Sequence, residues 1–344
     1  MNKKIVFIAG GSGFIGTNLV KKLLKFNFIV HNVDKISYCS TPIHFTGIKK
    51  NRNYFFHKFD LCNQKKVDSF IKKIKPSFVV NLAAESHVDR SIDNPKKFFI
   101  NNVSSTLNIL EAIRNNFKNF KINKIIHIST DEVYGGEIKI PSKEEDRYIT
   151  NSPYSASKAS TDHLCNSYRK TFNLPIIILN CCNNFGPFQF PEKLIPTTIN
   201  CLRKNNKIPL YGNGKNVREW IYVDDFCEAI KIVLEKKIRK SRYNIGSKKR
   251  ISNIKLIKKI INIFDKKFKN LKNKKNLIKY VVDRPGHDFK YSLNSNNIRN
   301  ELKWKSKYSM TEGINNTIRW YLKNNSWLKH CNKKYNGQRL GKVL

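Results

Sequence analysis

Two side chains in the middle of the chain have the types and the spacing of an oxidation site. Tyr154 and Lys158 lie four residues apart in the segment SPYSASK (152–158), so on a helix the phenol and the ammonium face the same side. A phenol that acts as a base near neutral pH needs its pKa lowered by roughly 3 units, and we expect the adjacent cation to lower it. A Tyr-x-x-x-Lys pair also occurs in helices by chance, so the interpretation depends on the rest of the sequence.

An acidic pair upstream adds the chemistry of water elimination. Asp131 and Glu132 directly follow Thr130. Oxidation of a sugar hydroxyl to a ketone acidifies the neighbouring C–H, which a carboxylate can deprotonate, and hydroxide leaves the next carbon only when an acid protonates it. Two carboxyls with opposite protonation states meet both needs, and Thr130 would bond the oxygen that Tyr154 deprotonates. The alternative is that the pair caps a helix or lies in solvent.

A glycine-rich turn near the start of the chain is the candidate cofactor site. The segment GGSGFIG (10–16) separates an apolar strand, Lys4–Ala9, from a helical pattern over Thr17–Lys25. Glycines let the backbone approach a pyrophosphate, and the helix N-terminus offers free N–H donors. The next strand, Ile29–Val33, ends at Asp34, about 20 residues past the glycines, where a carboxylate suits the ribose hydroxyls of NAD and repels the 2′-phosphate of NADP. The turn therefore predicts NAD.

Further buried strands alternate with helical patterns, which indicates an α/β fold. The predicted class is a Rossmann-type doubly wound parallel sheet with a smaller C-terminal α/β substrate lobe. We expect residues 1–180 to form the NAD-binding domain with the catalytic residues, 181–330 a lobe that mainly binds substrate, and 331–344 a frayed tail. The four remaining strands of the first domain are expected at Tyr54–Phe59, Phe78–Leu82, Lys124–Ile128 and Pro175–Asn180.

Composition bears on partners and compartment. The formal net charge of +41 would suit a polyanion such as nucleic acid, but the lysines are spread along the chain, so we interpret most of the charge as a solvated surface. The eight cysteines show no C-x-x-C or metal-ligand spacing, which favours reduced thiols in a cytoplasmic protein without a metal site. No apolar run approaches the roughly 18 residues of a membrane span, and the start MNKKI leaves no room for a signal peptide.

Several longer segments resemble one known family. They are STDEVYG (129–135), SPYSASKAS (152–160), LAAESHVDRS (82–91), NNFGP (183–187), PEKLIP (191–196) and DRPGHD (283–288). With these segments the chain resembles the extended short-chain dehydrogenase/reductase family, and within it the branch of 4,6-dehydratases that use dTDP-glucose. The similarity runs from about residue 4 to about residue 328, and its motifs are far more specific than a glycine turn alone.

The resemblance implies a reaction in three steps, in which NAD stays bound. Tyr154 and NAD oxidise C4 of the sugar, Glu132 takes the C5 proton while Asp131 protonates the C6 hydroxyl, and the hydride then returns to C6. Lys158 would hold the phenolate and the nicotinamide ribose. The product would be dTDP-4-dehydro-6-deoxy-glucose, a precursor in deoxysugar and polysaccharide biosynthesis such as the dTDP-rhamnose pathway.

The same resemblance assigns the binding residues. The expected cofactor residues are Gly10, Gly13, Phe14, Ile15, Gly16, Asp34, Lys35, Ser37, Asp60, Leu61, Leu82, Ala83, Ala84, Ser86, Asn101, Tyr154, Lys158 and Asn184. The expected substrate residues are Ser86, Thr130, Asn183, Lys193, Leu194, Pro209, Tyr211, Arg218, Asn253, Asp283, Arg284, Pro285, Gly286 and His287. Arg218 and Lys193 suit the diphosphate because their cations carry several donors, although either could be a surface charge, and Asn253 could be a helix cap.

The family also implies a homodimer, in which helices such as Phe99–Phe117 and Tyr154–Phe172 form a four-helix bundle. Three departures from the family pattern are visible: Ala9-Gly10-Gly11-Ser12 in the first motif, a short stretch between Tyr134 and Ser152, and the lysine content. The alternatives are a nucleotide-sugar 4-epimerase, a 4,6-dehydratase for a UDP- or CDP-sugar, and, in a different class, a basic Rossmann-fold regulator that binds nucleic acid.

Overall fold

The computed structural model describes residues 4–136, 140–268 and 277–341. The strands in these ranges are β1 Ile5–Ala9, β2 Ile29–Val33, β3 Tyr54–His57, β4 Phe78–Asn81, β5 Lys124–Thr130, β6 Ile176–Cys181, β7 Asn183–Phe185, β8 Ile208–Tyr211, β9 Val217–Tyr222, β10 Arg242–Ile245, β11 Arg250–Ser252 and β12 Ile278–Val281. The α-helices are α1 Phe14–Lys25, α2 Gln64–Ile74, α3 Val88–Asp93, α4 Pro95–Phe99, α5 Ser105–Asn116, α6 Pro153–Phe172, α7 Leu194–Arg203, α8 Val223–Glu235, α9 Asn253–Phe268, α10 Asn296–Leu302, α11 Met310–Lys323 and α12 Asn325–Lys334.

Seven strands form one parallel sheet in the order β10-β6-β5-β4-β1-β2-β3. Its central strands are buried on both faces, as the apolar runs IVFIA of β1 and FVVN of β4 require. The chain winds from β1 toward β3 and from β4 toward β10, so the order reverses between β1 and β4, where ligands bind in such sheets. The predicted doubly wound fold is confirmed, and the six predicted strands are present with ends shifted by at most two residues.

The predicted single helix over Phe99–Phe117 is interrupted. α4 and α5 are joined by a π-helical segment, Ile100–Ser104. Within this segment the Asn102 side chain accepts from the Glu85 N–H at 2.7 Å and donates to the Glu85 carbonyl and the Ser157 hydroxyl. A π-bulge of this kind often marks a functional site, and here it directs Asn101 and Asn102 toward the end of β4.

The second half of the chain forms a smaller group of elements and also completes the large sheet. β11-β9-β7 and β12-β8 form two small sheets, and α7, α9, α11 and α12 enclose a separate hydrophobic cluster. β10, however, pairs with β6, and α8 packs on α1, so the chain returns to the first domain after residue 180. The domain boundaries stay a prediction, and residues 269–275 of the lysine-rich stretch lie outside the described ranges.

The prediction of a frayed tail is wrong for residues 332–341. α12 extends to Lys334, Cys331 is buried, and the N–H of Gly341 donates to the Asp93 carboxylate at 3.0 Å. Composition did not indicate this packing because its partners are far away in the sequence. None of the helices in the three described ranges is long and apolar enough to cross a membrane.

Candidate active site

A cleft at the carboxyl edge of β1, β2 and β4 collects most of the predicted cofactor residues. Those that line it are Gly10, Gly13, Asp34, Lys35, Ser37, Asp60, Leu61, Leu82, Ala83, Ala84 and Asn101. The cleft is also lined by Cys39, Ser40, Cys62, Glu85 and Ser105, which the sequence did not single out. Four of them come from loops and Ser105 from the start of α5, and their meeting depends on pairing between distant strands, so no local pattern identifies them.

The glycine turn forms the floor of this cleft and fits a pyrophosphate. Gly10 has φ +77°, and a Cβ there would lie 2.8 Å from the backbone of Ala83, so only glycine allows the two loops to meet. α1 begins at Phe14 after Gly13, and no side chain caps its N-terminus. The N–H groups of its first turn, Phe14 to Gly16, therefore remain available to an anion.

Charged and amide groups at the rim fit a ribose. Asp34 accepts from the N–H groups of Ser12 at 3.1 Å and Ile36 at 2.7 Å and from the Ser40 hydroxyl at 3.0 Å. Burial raises the pKa of its carboxyl, and these bonds oppose the rise. Lys35 bonds Asp60 at 3.3 Å and Asn101 at 2.9 Å across the rim. The cleft thus has the donor and acceptor pattern that a dinucleotide needs.

The predicted catalytic residues come together where β5 ends and α6 begins. Thr130 is the last residue of β5, and a 3₁₀ turn over Asp131–Tyr134 follows, with the Thr130 hydroxyl accepting from the N–H of Glu132 at 3.2 Å. α6 opens with Pro153 behind a capping box formed by Ser152 and Ser155, which fixes the first turn, where Tyr154 lies. The end of β5 and the start of α6 therefore face each other at the edge of the sheet where ligands bind.

The environment of Tyr154 and Lys158 differs from the expectation in one respect. Burial raises the pKa of the Tyr154 phenol well above its ordinary value, and the charge of Glu132 adds to the rise. The expected lowering is not found because burial outweighs it; the Lys158 ammonium donates to the Ile128 carbonyl at 2.8 Å and lies 3.4 Å from Nε2 of His127. Burial also lowers the pKa of Lys158.

Asp131 and Glu132 have different electrostatic surroundings. Burial raises the pKa of Asp131 well above its usual range, and the charges of Glu132 and Glu219 reinforce the rise. Burial also raises the pKa of Glu132, but three cations, Arg284, Lys193 and Arg218, oppose it. Asp131 therefore favours the acid form, and Glu132 is the member of the pair whose negative charge is compensated.

The buried Asp131 carboxyl predicts a pH-dependent stability. Its pKa is raised in the folded protein and ordinary in the unfolded chain, so above the ordinary pKa the unfolded state gains stability by ionising. The stability that Asp131 contributes is thus complete below the unfolded pKa and is lost as the pH rises through the folded pKa. Asp131→Asn cannot ionise, and Oδ2 of Asp131 has no hydrogen-bond partner among the described residues. We expect Asp131→Asn to exceed wild type in unfolding free energy by on the order of 1–3 kcal/mol at about pH 8, with a smaller difference at about pH 5.

Urea denaturation at the two pH values measures this difference. Asp146→Asn is the matched control, because Asp146 is an exposed acid on the loop before α6 and should show no such pH dependence. If the difference in unfolding free energy between Asp131→Asn and wild type became smaller as the pH rises, the raised pKa of the Asp131 carboxyl would be contradicted.

Three cations from the second half of the chain surround the acidic pair. Arg218 is buried and donates to the backbone carbonyls of residues 217, 288 and 289, so backbone and not carboxylate groups hold it. Lys193 donates to the Ser86 carbonyl at 2.7 Å. Arg284 donates to Asp89 at 3.0 Å, while its buried Nε has no hydrogen-bond partner in the described part of the chain. Guanidinium and ammonium donors in this arrangement suit a diphosphate.

The remaining predicted substrate residues lie around this group or at its edges. Tyr211 donates to the second oxygen of Asp89 at 3.0 Å, and His287 bonds Asp283 at 2.6 Å in a turn that contains Pro285 and Gly286, the latter at φ +60°. Asn183 and Asn253 each have a buried side-chain oxygen without a partner in the described ranges, and so does Asn184 from the cofactor set. Asn253 is the first residue of α9. Pro209 pairs with Lys279 in the small sheet β12-β8, and Leu194 packs on the hydrophobic cluster enclosed by α7, α9, α11 and α12.

The sequence missed a buried carboxylate that connects the catalytic elements. Asp162 is fully buried on α6 and accepts from Ser129 at 2.7 Å and from Tyr148 at 2.6 Å, and its other oxygen lies 3.5 Å from Nε2 of His127. Through these contacts Asp162 connects α6 to β5 and to the loop that precedes α6, one helical turn after Lys158. The only sequence signal is its place one turn after Lys158 on the predicted helix.

Several known proteins are similar to this chain over most of its length. The family described as GDP-mannose 4,6 dehydratase matches residues 7–317. A probable dTDP-glucose 4,6-dehydratase of Sinorhizobium fredii is 39% identical over 343 residues, which is 98% of each chain. The crystal structure of the dTDP-glucose 4,6-dehydratase of Bacillus anthracis in complex with NAD matches with a TM-score of 0.84 and 36% identity, over 95% of this chain and 99% of that one. A UDP-glucose 4-epimerase of Thermotoga maritima with UDP-glucose has a TM-score of 0.83 but 25% identity, over 93% and 99%.

Proposed function

The chain belongs to the dTDP-glucose 4,6-dehydratase family, and on that premise we propose that it converts dTDP-glucose into dTDP-4-dehydro-6-deoxy-glucose with NAD retained through the turnover. The observation that carries the proposal is the acidic pair. Asp131 and Glu132 lie beside Tyr154, at the carboxyl edge where the dinucleotide cleft lies, and although burial raises the pKa of both carboxyls, three cations oppose the rise at Glu132.

In the first step Tyr154 accepts the proton of the C4 hydroxyl. NAD, when bound in the cleft, would supply a positive charge and a reversible hydride acceptor. Burial alone holds the phenol protonated, so Tyr154 needs nearby positive charge to act as a base. The Thr130 hydroxyl is a donor for the same substrate oxygen, and the Lys158 ammonium, fixed by the Ile128 carbonyl, is the nearby cation of this chain.

In the second step the acidic pair removes water across C5 and C6. The Glu132 carboxylate takes the C5 proton, which the new C4 ketone has made acidic, and the protonated Asp131 gives its proton to the C6 hydroxyl, which leaves as water. The protonated Glu132 would return a proton to C5, and the hydride that bound NAD would supply at C6 would complete the product. Arg218, Lys193 and Arg284 hold the diphosphate, and their positive charge opposes the rise that burial causes in the pKa of Glu132.

A 4-epimerase is the nearest alternative, since it shares the fold and the Tyr/Lys pair. It returns the hydride to C4 and needs no acid and base at C5 and C6. The higher sequence identity to dehydratases than to the epimerase supports the dehydratase. The choice of dTDP over UDP or CDP rests on the same relatives.

Incubation with dTDP-glucose in deuterated water tests the proposal. We expect a 6-deoxy-4-keto product that carries deuterium at C5, because Glu132 exchanges the proton it removes with solvent. Analysis by NMR distinguishes this product from dTDP-galactose, which would support the epimerase instead. Parallel incubations with UDP-glucose and CDP-glucose measure the nucleotide preference. Faster turnover of either sugar would contradict the proposal that dTDP-glucose is the substrate.

The quaternary structure and the compartment belong to the same proposal. A homodimer through a four-helix bundle of the α4–α5 segment and α6 is supported by the large apolar side chains exposed on these elements, Phe99, Ile100 and Phe172. We place the enzyme in the cytoplasm, where nucleotide sugars for deoxysugar pathways such as that of dTDP-rhamnose are made. Steeply salt-dependent DNA binding without turnover would favour the nucleic-acid regulator.

A further inference from the structure

The C-terminal segment lies against a cluster formed by Arg284, Asp89 and Tyr211. After α12 ends, the chain continues as an irregular segment over residues 335–341. Arg339 donates through Nη2 to the backbone carbonyls of Val282 at 2.9 Å and Asp283 at 3.3 Å. These are the two residues that precede Arg284, so Arg339 fixes the backbone from which the Arg284 side chain extends.

The end of this segment is fixed on α3. The N–H of Gly341 lies 3.0 Å from both oxygens of the Asp93 carboxylate. Gly341 has φ +70°, and a Cβ there would lie 2.9 Å from Cβ of Asp89 and 3.0 Å from its Cα. Glycine is therefore required at this position for both backbone conformation and close approach.

The two contacts act on one cluster. Asp89 holds the Arg284 guanidinium at 3.0 Å and the Tyr211 hydroxyl at 3.0 Å, and the Arg339 guanidinium lies 5.7 Å from the centre of the Tyr211 ring. The segment thus touches the backbone before Arg284, the carboxylate residue that orients it and the tyrosine that shares that carboxylate. It connects the substrate lobe, at Val282 and Asp283, to α3 of the cofactor domain.

We propose that residues 335–341 form a C-terminal strap that positions Arg284 for the substrate diphosphate, with Arg339 and Gly341 as its positioning residues. The inference rests on the proposed function, because it is the diphosphate of the nucleotide sugar that Arg284 would bind. The hydrogen bonds of the strap described above run to Val282, Asp283 and Asp93, and none of these three partners lines the cofactor cleft. Its loss should therefore weaken substrate binding selectively.

Kinetics of Arg339 variants test the strap. We expect Arg339→Ala to raise KM for dTDP-glucose roughly tenfold while kcat changes by less than about threefold, because the lost charge-assisted bonds act on substrate positioning. Bound NAD should be retained. The KM of Arg339→Lys should be closer to that of Arg339→Ala than to that of wild type, since one ammonium does not reproduce the two bonds that the planar guanidinium donates to the two carbonyls. Gly341→Val, which disturbs the contact with Asp89, should also raise KM.

Lys333→Ala is the matched control, because it removes a positive charge from the exposed side of the same end of the chain and should leave KM unchanged. An unchanged KM in both Arg339→Ala and Gly341→Val would overturn the strap. Wild-type KM in Arg339→Lys would also overturn it, because the effect would then be long-range charge. Parallel losses of kcat and bound NAD would indicate general destabilisation and likewise count against it.

A titration with dTDP alone separates this inference from the proposed function. If wild type binds dTDP but does not dehydrate dTDP-glucose, the proposed function fails, and a roughly tenfold weaker dTDP affinity in Arg339→Ala still supports the strap. If wild type does not bind dTDP, both fail. If wild type dehydrates dTDP-glucose and Arg339→Ala binds dTDP equally well, the strap alone fails.

Discussion

Tyr154→Phe is expected to lower turnover of dTDP-glucose by about 10³-fold, within the range that loss of a general base produces. The substitution removes one hydroxyl and keeps the ring, which is buried and packs edge to face on Phe98 with centroids 6.3 Å apart. Folding and cofactor content should therefore be preserved. Because Tyr154 acts before the elimination, neither reduced nicotinamide nor product should form, and stopped-flow ultraviolet absorbance together with product NMR measures both.

Tyr134→Phe is the control for this experiment. Tyr134 is also buried, two residues after Glu132, and its hydroxyl donates to Asn244 at 3.0 Å, so the variant likewise loses one buried hydroxyl bond. We expect its turnover to fall by no more than a few fold. If Tyr154→Phe kept more than about a tenth of wild-type turnover, the oxidation would need another base.

The sequence was sufficient for the fold where local patterns determine structure. The glycine turn between β1 and α1 and the apolar runs of β1 and β4 have few alternatives to a parallel sheet. Helix α6 was also predictable, since its start carries a capping box with Pro153 at its first residue. These elements bring Tyr154 and Asp131 to one edge without information on long-range contacts.

What the sequence did not show depends on contacts between distant residues. Asp89 and Asp162 lie in recognisable segments, but their partners, Arg284 for Asp89 and Tyr148 for Asp162, are identified only in the folded chain. The pKa of Tyr154 was expected to fall because of its neighbour on the helix, yet burial dominates. The π-bulge and the strap were missed for the same reason, because neither polar contacts across the fold nor packing of a polar tail leaves a periodic pattern.

Glu132→Gln is expected to separate oxidation from elimination. The amide has nearly the shape of the carboxylate but cannot accept the C5 proton, so product formation should fall by roughly 10²–10⁴-fold. Oxidation at C4 requires Tyr154 and Thr130, which remain in place. Reduced nicotinamide should consequently form on mixing with dTDP-glucose and persist, since the hydride has no dehydrated intermediate to return to.

The charges around Glu132 predict that Glu132→Gln impairs catalysis without weakening substrate binding. Glu132 lies among Arg284, Lys193 and Arg218, and loss of its negative charge leaves these cations free to attract the diphosphate. We therefore expect Glu132→Gln to bind dTDP-glucose at least as tightly as wild type, so that its defect lies in kcat and not in KM. Glu145→Gln, which makes the same change at a largely exposed position, should leave both constants and the absorbance trace unchanged. Undiminished dehydration by Glu132→Gln would show that another group removes the C5 proton. The absence of any reduced-nicotinamide signal in this variant would show that Glu132 acts before the oxidation.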